Sequence, residues 1–199
     1  MAFTINGCRI TVSFYFAALL TAVLLCDRGG MAFAGILAAA LHEIGHLTVM
    51  RIFRVKPSLI RFTLFGIDLV KSDCAGHSYW HDALISLAGP GINIAAALLL
   101  RLFLIEAGNP FLAANIAFAL FNLLPIEPLD GGQALYCILC TRFHAEQAEK
   151  AVSVLSFLAL MPLAAAGFLV LFRSPWNFTL LLTCGYLMVL LALKNGRYY

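Results

Sequence analysis

Charge is scarce in this sequence. Asp, Glu, Lys and Arg make up 12% of its 199 residues, where a soluble domain carries about 25%. With 62% hydrophobic residues, the polar residues are too few to cover a core in water, which excludes an ordinary water-soluble protein. Cysteine is sparse and scattered as well. Cys8, Cys26, Cys74, Cys137, Cys140 and Cys184 lie in or beside apolar stretches, which argues against a disulfide framework. Cys137 and Cys140 have a CxxC spacing, but no second CxxC accompanies them, so they read as buried thiols. There is no internal repeat, no low-complexity tract and no linker. The expectation is one membrane domain over 1–199, with only Lys194–Tyr199 after the last apolar block.

What is present is long apolar blocks. Six read as membrane spans: about Ile10–Cys26, Met31–Met50, Ala83–Ile105, Phe111–Cys140 (interrupted), Ala151–Phe172 and Trp176–Leu193. Crossing the hydrocarbon takes about 20 apolar residues. The first block follows a single basic residue, Arg9, and no small-x-small site comes after it, so it reads as a retained span rather than a signal peptide. Lys and Arg divide unevenly between the two sides. Arg9, Arg51, Arg54, Lys56, Arg61, Lys71, Arg142, Lys150, Lys194 and Arg197 fall on the side of the termini; Arg28, Arg101 and Arg173 fall opposite. The positive-inside rule then places both termini in the cytosol. The net charge of +3 follows from that topology and from anionic lipid, and no nucleic-acid partner is expected.

The largest polar connection is 51–80. Within it, Pro57–Lys71 alternates apolar and polar residues at strand period, with Phe65-Gly66 as a turn. The expected fold is an all-α membrane protein: a six-helix transmembrane bundle with a short cytosolic-side β-hairpin and a broken fourth helix.

The second block contains His42-Glu43-Ile44-Gly45-His46. Residues four apart share a helix face, so two imidazoles can aim at one ion, and zinc accepts such nitrogens. Glu43 stands beside that face, where it can take a proton from a metal-bound water. Three polar side chains within five positions of an apolar span each cost about 2.5–3.5 kcal/mol when ionised, and a divalent ion would offset that cost. The rival is a hydrogen-bonded polar patch between helices. His77 and His81 share the spacing, but they sit beside Tyr79 and Trp80 and read as interfacial residues.

A catalytic zinc site needs a third protein ligand and an open fourth position. The fourth block supplies candidates in Asn122-Leu123-Leu124-Pro125-Ile126-Glu127-Pro128-Leu129-Asp130-Gly131-Gly132. Its prolines and glycines break the helix, and irregular backbone at membrane depth lines a cavity or is buried in protein. Asp130, at the start of the next helical piece, is the expected third ligand, and Glu127 is its rival. Asn93, in Ala88-Gly89-Pro90-Gly91-Ile92-Asn93, and Asn122 are candidates for hydrogen-bonding an oxyanion. The alternative for each is a helix–helix hydrogen bond. A membrane protein that binds or transports a metal is the competing function, although such a path would spread acidic and His residues along several spans.

These motifs resemble the site-2 protease family of intramembrane zinc metalloproteases (peptidase family M50). The match is carried by His42-Glu43-Ile44-Gly45-His46, by Gly89-Pro90-Gly91-Ile92-Asn93, and by Asn122 through Pro128-Leu129-Asp130-Gly131-Gly132, and it covers about Met31 to Cys140. The resemblance implies that His42, His46 and Asp130 hold one zinc ion, that Glu43 is the catalytic acid/base, and that Asn122 belongs to the active site. It implies a membrane-protein substrate cut in or near its membrane segment, held by the edge of the hairpin, and a possible regulatory membrane partner. Within the family the chain looks most like the stage IV sporulation protein FB branch, whose substrate is a membrane-tethered sigma-factor precursor. It departs from that branch in having no nucleotide-sensing (CBS) domain, and from the sigma-E-pathway proteases in having no PDZ insertion.

Overall fold

A computed structural model describes residues 2–5, 8–63, 66–71, 78–103, 106, 108–174 and 177–192. His77 and Cys74 lie outside these residues. The chain divides into two compact units, Met1–Leu120 and Phe121–Tyr199.

The first unit opens with strands β1 (Ala2–Ile5) and β2 (Cys8–Val12), followed by helices α1 (Phe14–Cys26) and α2 (Met31–Ile52). The expected hairpin follows as β3 (Pro57–Thr63) and β4 (Gly66–Lys71), paired antiparallel from Pro57↔Lys71 to Thr63↔Gly66. It does not stand alone. β2 pairs with β3 in parallel, with Ile10 opposite Ile60, and β1 closes onto β2, giving a four-stranded sheet in the order β1-β2-β3-β4. This corrects the sequence reading twice. The all-α core carries a sheet rather than a two-stranded hairpin, and the first apolar block is strand up to Val12 and helix only from Phe14. Periodicity cannot separate a short apolar strand from a helix segment.

Helix α2 has a defined start and end. Asp27 Oδ2 accepts a hydrogen bond from the Phe33 backbone N–H at 2.9 Å, and these bonds hold its carboxyl below the usual carboxylate range, the Phe33 N–H contributing most. At the other end Arg54 takes a left-handed conformation (φ 59°). The Val55 N–H bonds back to the Met50 carbonyl (2.9 Å) and the Arg54 N–H to the Arg51 carbonyl (3.2 Å). This is a Schellman closure, and its apolar contact is the buried cluster of Met50 and Val55 with Ile85. Ile85 belongs to α3 (Tyr79–Leu102), which packs along α2. Close approach is possible because Gly45 faces α3: a Cβ there would meet the Ala88 carbonyl oxygen at 2.6 Å. His81 stacks on Phe53, 4.3 Å between ring centroids.

Helix α4 (Pro110–Asn122) ends two residues past the unit boundary, and the broken segment leads into α5 (Asp130–Cys140). Helices α6 (Ala145–Arg173) and α7 (Thr179–Ala192) complete the second unit. Its core is Ile126, Leu160 and Leu187, with Tyr136, Ala148 and Val152 beside α5. Cys137 and Cys140 pack against that second cluster as thiols. α6 buries the stripe Ala148, Val152, Ser156 and Leu160, while Val154, Leu158, Met161 and Phe168 are exposed. An exposed aliphatic face of this kind belongs in lipid, and the chain is a membrane protein. Among the described residues, α2, α3 and α6 can cross a bilayer by length and composition, and the described parts of α1, α4 and α7, of 13, 13 and 14 residues, are shorter than a full crossing needs.

Candidate metal centre

Both histidines of the motif are buried on the face of α2 that meets α3, although the helix is mostly apolar. Each is held by its Nδ1. His46 Nδ1 lies 2.7 Å from the Ile85 carbonyl oxygen, and a carbonyl only accepts, so Nδ1 carries the proton. His42 Nδ1 lies 2.8 Å from Asn93 Oδ1, again an acceptor. In the neutral rings both Nε2 atoms then present lone pairs. They face each other at 3.1 Å. That contact is not a hydrogen bond between two neutral imidazoles with these tautomers, because no proton lies on either nitrogen. Two lone pairs at this distance repel unless a cation stands with them.

Zinc suits this arrangement. Two nitrogens bound to a tetrahedral ion at about 2.0–2.1 Å stand roughly 3.3 Å apart, close to the observed separation. Space is reserved beside them. A Cβ on Gly89 would run into His46 Nε2 and would stand 2.6 Å from His42 Nε2, so the α3 backbone leaves an opening where any side chain would fill it. Phe118 of α4 packs against the His42 ring, with centroids 6.0 Å apart. The histidine pair and the Gly89 opening fit a metal ion. Glu43 follows His42 on α2 and is part-buried.

In the second unit, Asp130 is the first residue of α5, part-buried, with Oδ2 shielded from solvent. The turn before it folds tightly onto the helix start. A Cβ on Gly131 would strike the Leu123 carbonyl, and one on Gly132 the Ile126 carbonyl. Helix α6 pins this segment. Ser156 Oγ accepts from the Glu127 N–H at 2.9 Å and donates to the Val152 carbonyl at 2.7 Å. Ser153 Oγ donates to Glu127 Oε2 at 3.3 Å. Glu127, the rival ligand, thus directs an oxygen to α6. Asn122 is the part-buried last residue of α4.

From its sequence context Asn93 is either an oxyanion donor or a helix–helix hydrogen-bonding residue. Asn93 is fully buried, and its amide donates to the Ala38 carbonyl (3.1 Å) and to Asn115 Oδ1 (2.8 Å). Both amide hydrogens are used between helices. Asn115, Ser153 and Ser156 were not singled out in the sequence. Asn115 could have been, because a polar amide inside an apolar helix requires a partner just as Asn93 does.

No family model matches the chain. It is similar to a Synechocystis protein named "Putative zinc metalloprotease sll0528", with 32% identity over 130 residues. That match takes in 61% of this chain, which spans 31% of the relative's length. Among solved structures it resembles the site-2 protease from Methanocaldococcus jannaschii, with a TM-score of 0.67 and 18% identity over 100% of this chain and 99% of that one. The resemblance read from three short motifs therefore extends to the whole architecture: the chain has the site-2 protease fold.

Proposed function

We propose that this chain is an intramembrane zinc metalloprotease of the site-2 type, with one zinc ion per chain held by His42, His46 and Asp130. The observation that carries the reading is the pair of Nε2 atoms facing each other at 3.1 Å in an apolar helix. The two imidazoles and the carboxylate are a donor set that could hold a metal ion. When bound, zinc supplies Lewis acidity toward a peptide carbonyl and lowers the pKa of a water to about 7. Glu43 accepts the proton of the attacking water and passes it to the leaving amine. Asn122 donates a hydrogen bond to the carbonyl oxygen as it gains charge.

The substrate is a membrane protein whose helix must unwind before it is cut, since helical carbonyls are engaged in internal hydrogen bonds. An edge of the β1-β2-β3-β4 sheet would hold such an extended segment as an added strand. The distribution of Lys and Arg favours a cytoplasmic membrane with both termini in the cytosol. The motif resemblance favours the stage IV sporulation protein FB branch, a membrane-tethered sigma-factor precursor as substrate, and a regulatory membrane partner.

The test is cleavage of candidate membrane-tethered substrates by the purified protein in vesicles, with zinc content measured in parallel. Glu43→Gln should keep its zinc and lose about 10²–10⁴-fold in cleavage rate, while Asp130→Ala should lose zinc. Full activity of Glu43→Gln refutes the assigned role, and metal flux without proteolysis would make the chain a transporter.

A further inference from the structure

We propose that Asn93 and Asn115 are positioning residues that form a polarity relay fixing the tautomer of His42, with the direction of the relay set by two backbone carbonyls. The inference rests on the reading that His42 is a metal ligand, and it concerns what makes Nε2 of that ring the nitrogen that binds.

The relay starts at α4. Asn115 is fully buried, and one end of its amide lies 2.8 Å from the Phe111 carbonyl oxygen. A carbonyl cannot donate, so the NH₂ end of Asn115 faces Phe111 and its oxygen faces Asn93. Asn93 must then donate to Asn115, at 2.8 Å. A second carbonyl repeats the instruction, because the same Asn93 nitrogen lies 3.1 Å from the Ala38 oxygen. With both hydrogens of Asn93 committed, only its oxygen remains for His42 Nδ1 at 2.8 Å. An amide oxygen only accepts, so Nδ1 holds the proton and Nε2 is left with a lone pair. If the Asn93 amide turned over, its NH₂ would face Nδ1, the proton would move to Nε2, and the ring could not bind through that atom. The three helices are thereby linked in one chain: Phe111 and Asn115 on α4, Asn93 on α3, His42 on α2. Ala38 is the residue whose carbonyl receives the His42 N–H in the helix ladder. Asn93 therefore reads the backbone and the side chain of the same turn. His46 needs no relay, since its Nδ1 meets a carbonyl directly.

Groups that orient a ligating histidine typically contribute about 10–100-fold in metal affinity. The test uses full-length protein in detergent, with zinc and cobalt(II) affinities from chelator competition and the cobalt d–d spectrum as a probe of ligand geometry. Asn93→Leu should weaken both metals about 10–100-fold. Asn93→Asp keeps an acceptor at Nδ1 and should bind at least tenfold tighter than Asn93→Leu, although it loses the donors to Ala38 and Asn115. Asn115→Leu, which touches no ligand, should fall between wild type and Asn93→Leu and shift the cobalt spectrum. Equal affinities for Asn93→Asp and Asn93→Leu, or a wild-type affinity for Asn93→Leu, would overturn the relay. Because a buried variant can fail to fold, a second measurement uses the wild type alone. Nitrogen-15 NMR of histidine-labelled, zinc-loaded protein should show His42 with a protonated, hydrogen-bonded Nδ1 and a metal-bound Nε2; coordination through Nδ1 would refute the proposal. A wild-type protein that binds neither metal would instead sink the proposed function itself.

Discussion

Replacing Gly89 with alanine is expected to weaken metal binding in a protein that still folds. The added Cβ would stand 2.6 Å from His42 Nε2 and closer to His46 Nε2, where ordinary contacts begin at 3.4 Å. Something must move by at least about 0.8 Å, and metal–ligand distances tolerate only about 0.2 Å. Neither ring can easily yield, since His42 is tied to Asn93 and His46 to the Ile85 carbonyl. A displacement on this scale costs on the order of 100-fold in site function, read as zinc affinity by chelator competition. Stability should change much less. Overpacking costs about 1–3 kcal/mol, and alanine recovers about 1 kcal/mol of helix propensity over glycine. Gly91, two residues along the same helix, is the internal control, because a Cβ there meets nothing within 4 Å. Gly91→Ala should keep wild-type zinc affinity and gain up to about 1 kcal/mol. If Gly89→Ala binds zinc as tightly as Gly91→Ala, the opening between the two imidazoles is not where the ion sits.

Two further outcomes follow from other parts of the structure. Ser156→Ala leaves the buried Glu127 N–H without its acceptor and should cost about 1–3 kcal/mol, visible as a lower unfolding temperature of the detergent-solubilised protein; an unchanged value would mean that α6 does not pin the segment before Asp130. Asp27 has its carboxyl lowered by the Phe33 N–H and neighbouring backbone donors. Its contribution is complete above the unfolded value of about 3.9 and is lost as pH falls through the lower folded value. Asp27→Asn should therefore differ from wild type in stability near neutral pH and converge with it in strong acid, and a gap that persists there would exclude the linkage.

Much of this protein could be read from its residues because the bilayer is a demanding solvent. Polar groups inside long apolar blocks must have a reason to be there, so His42, Glu43, His46 and the break before Asp130 are legible in the sequence alone. Helix periodicity then put the two histidines on one face, and alternation in Pro57–Lys71 gave the strands. The four-stranded sheet was beyond that reading, because β2 pairs with residues 50 positions later and a short run such as Ile10–Val12 looks the same in a strand as in a helix. Sequence likewise placed Asn93 near the motif without saying what it holds. Tertiary packing decided that: carbonyls of Phe111, Ala38 and Ile85, brought alongside by three helices, dictate where every proton of the histidine pair must lie. Side-chain identity follows from the code of residues, but the direction of a hydrogen bond depends on which acceptor the fold sets opposite it.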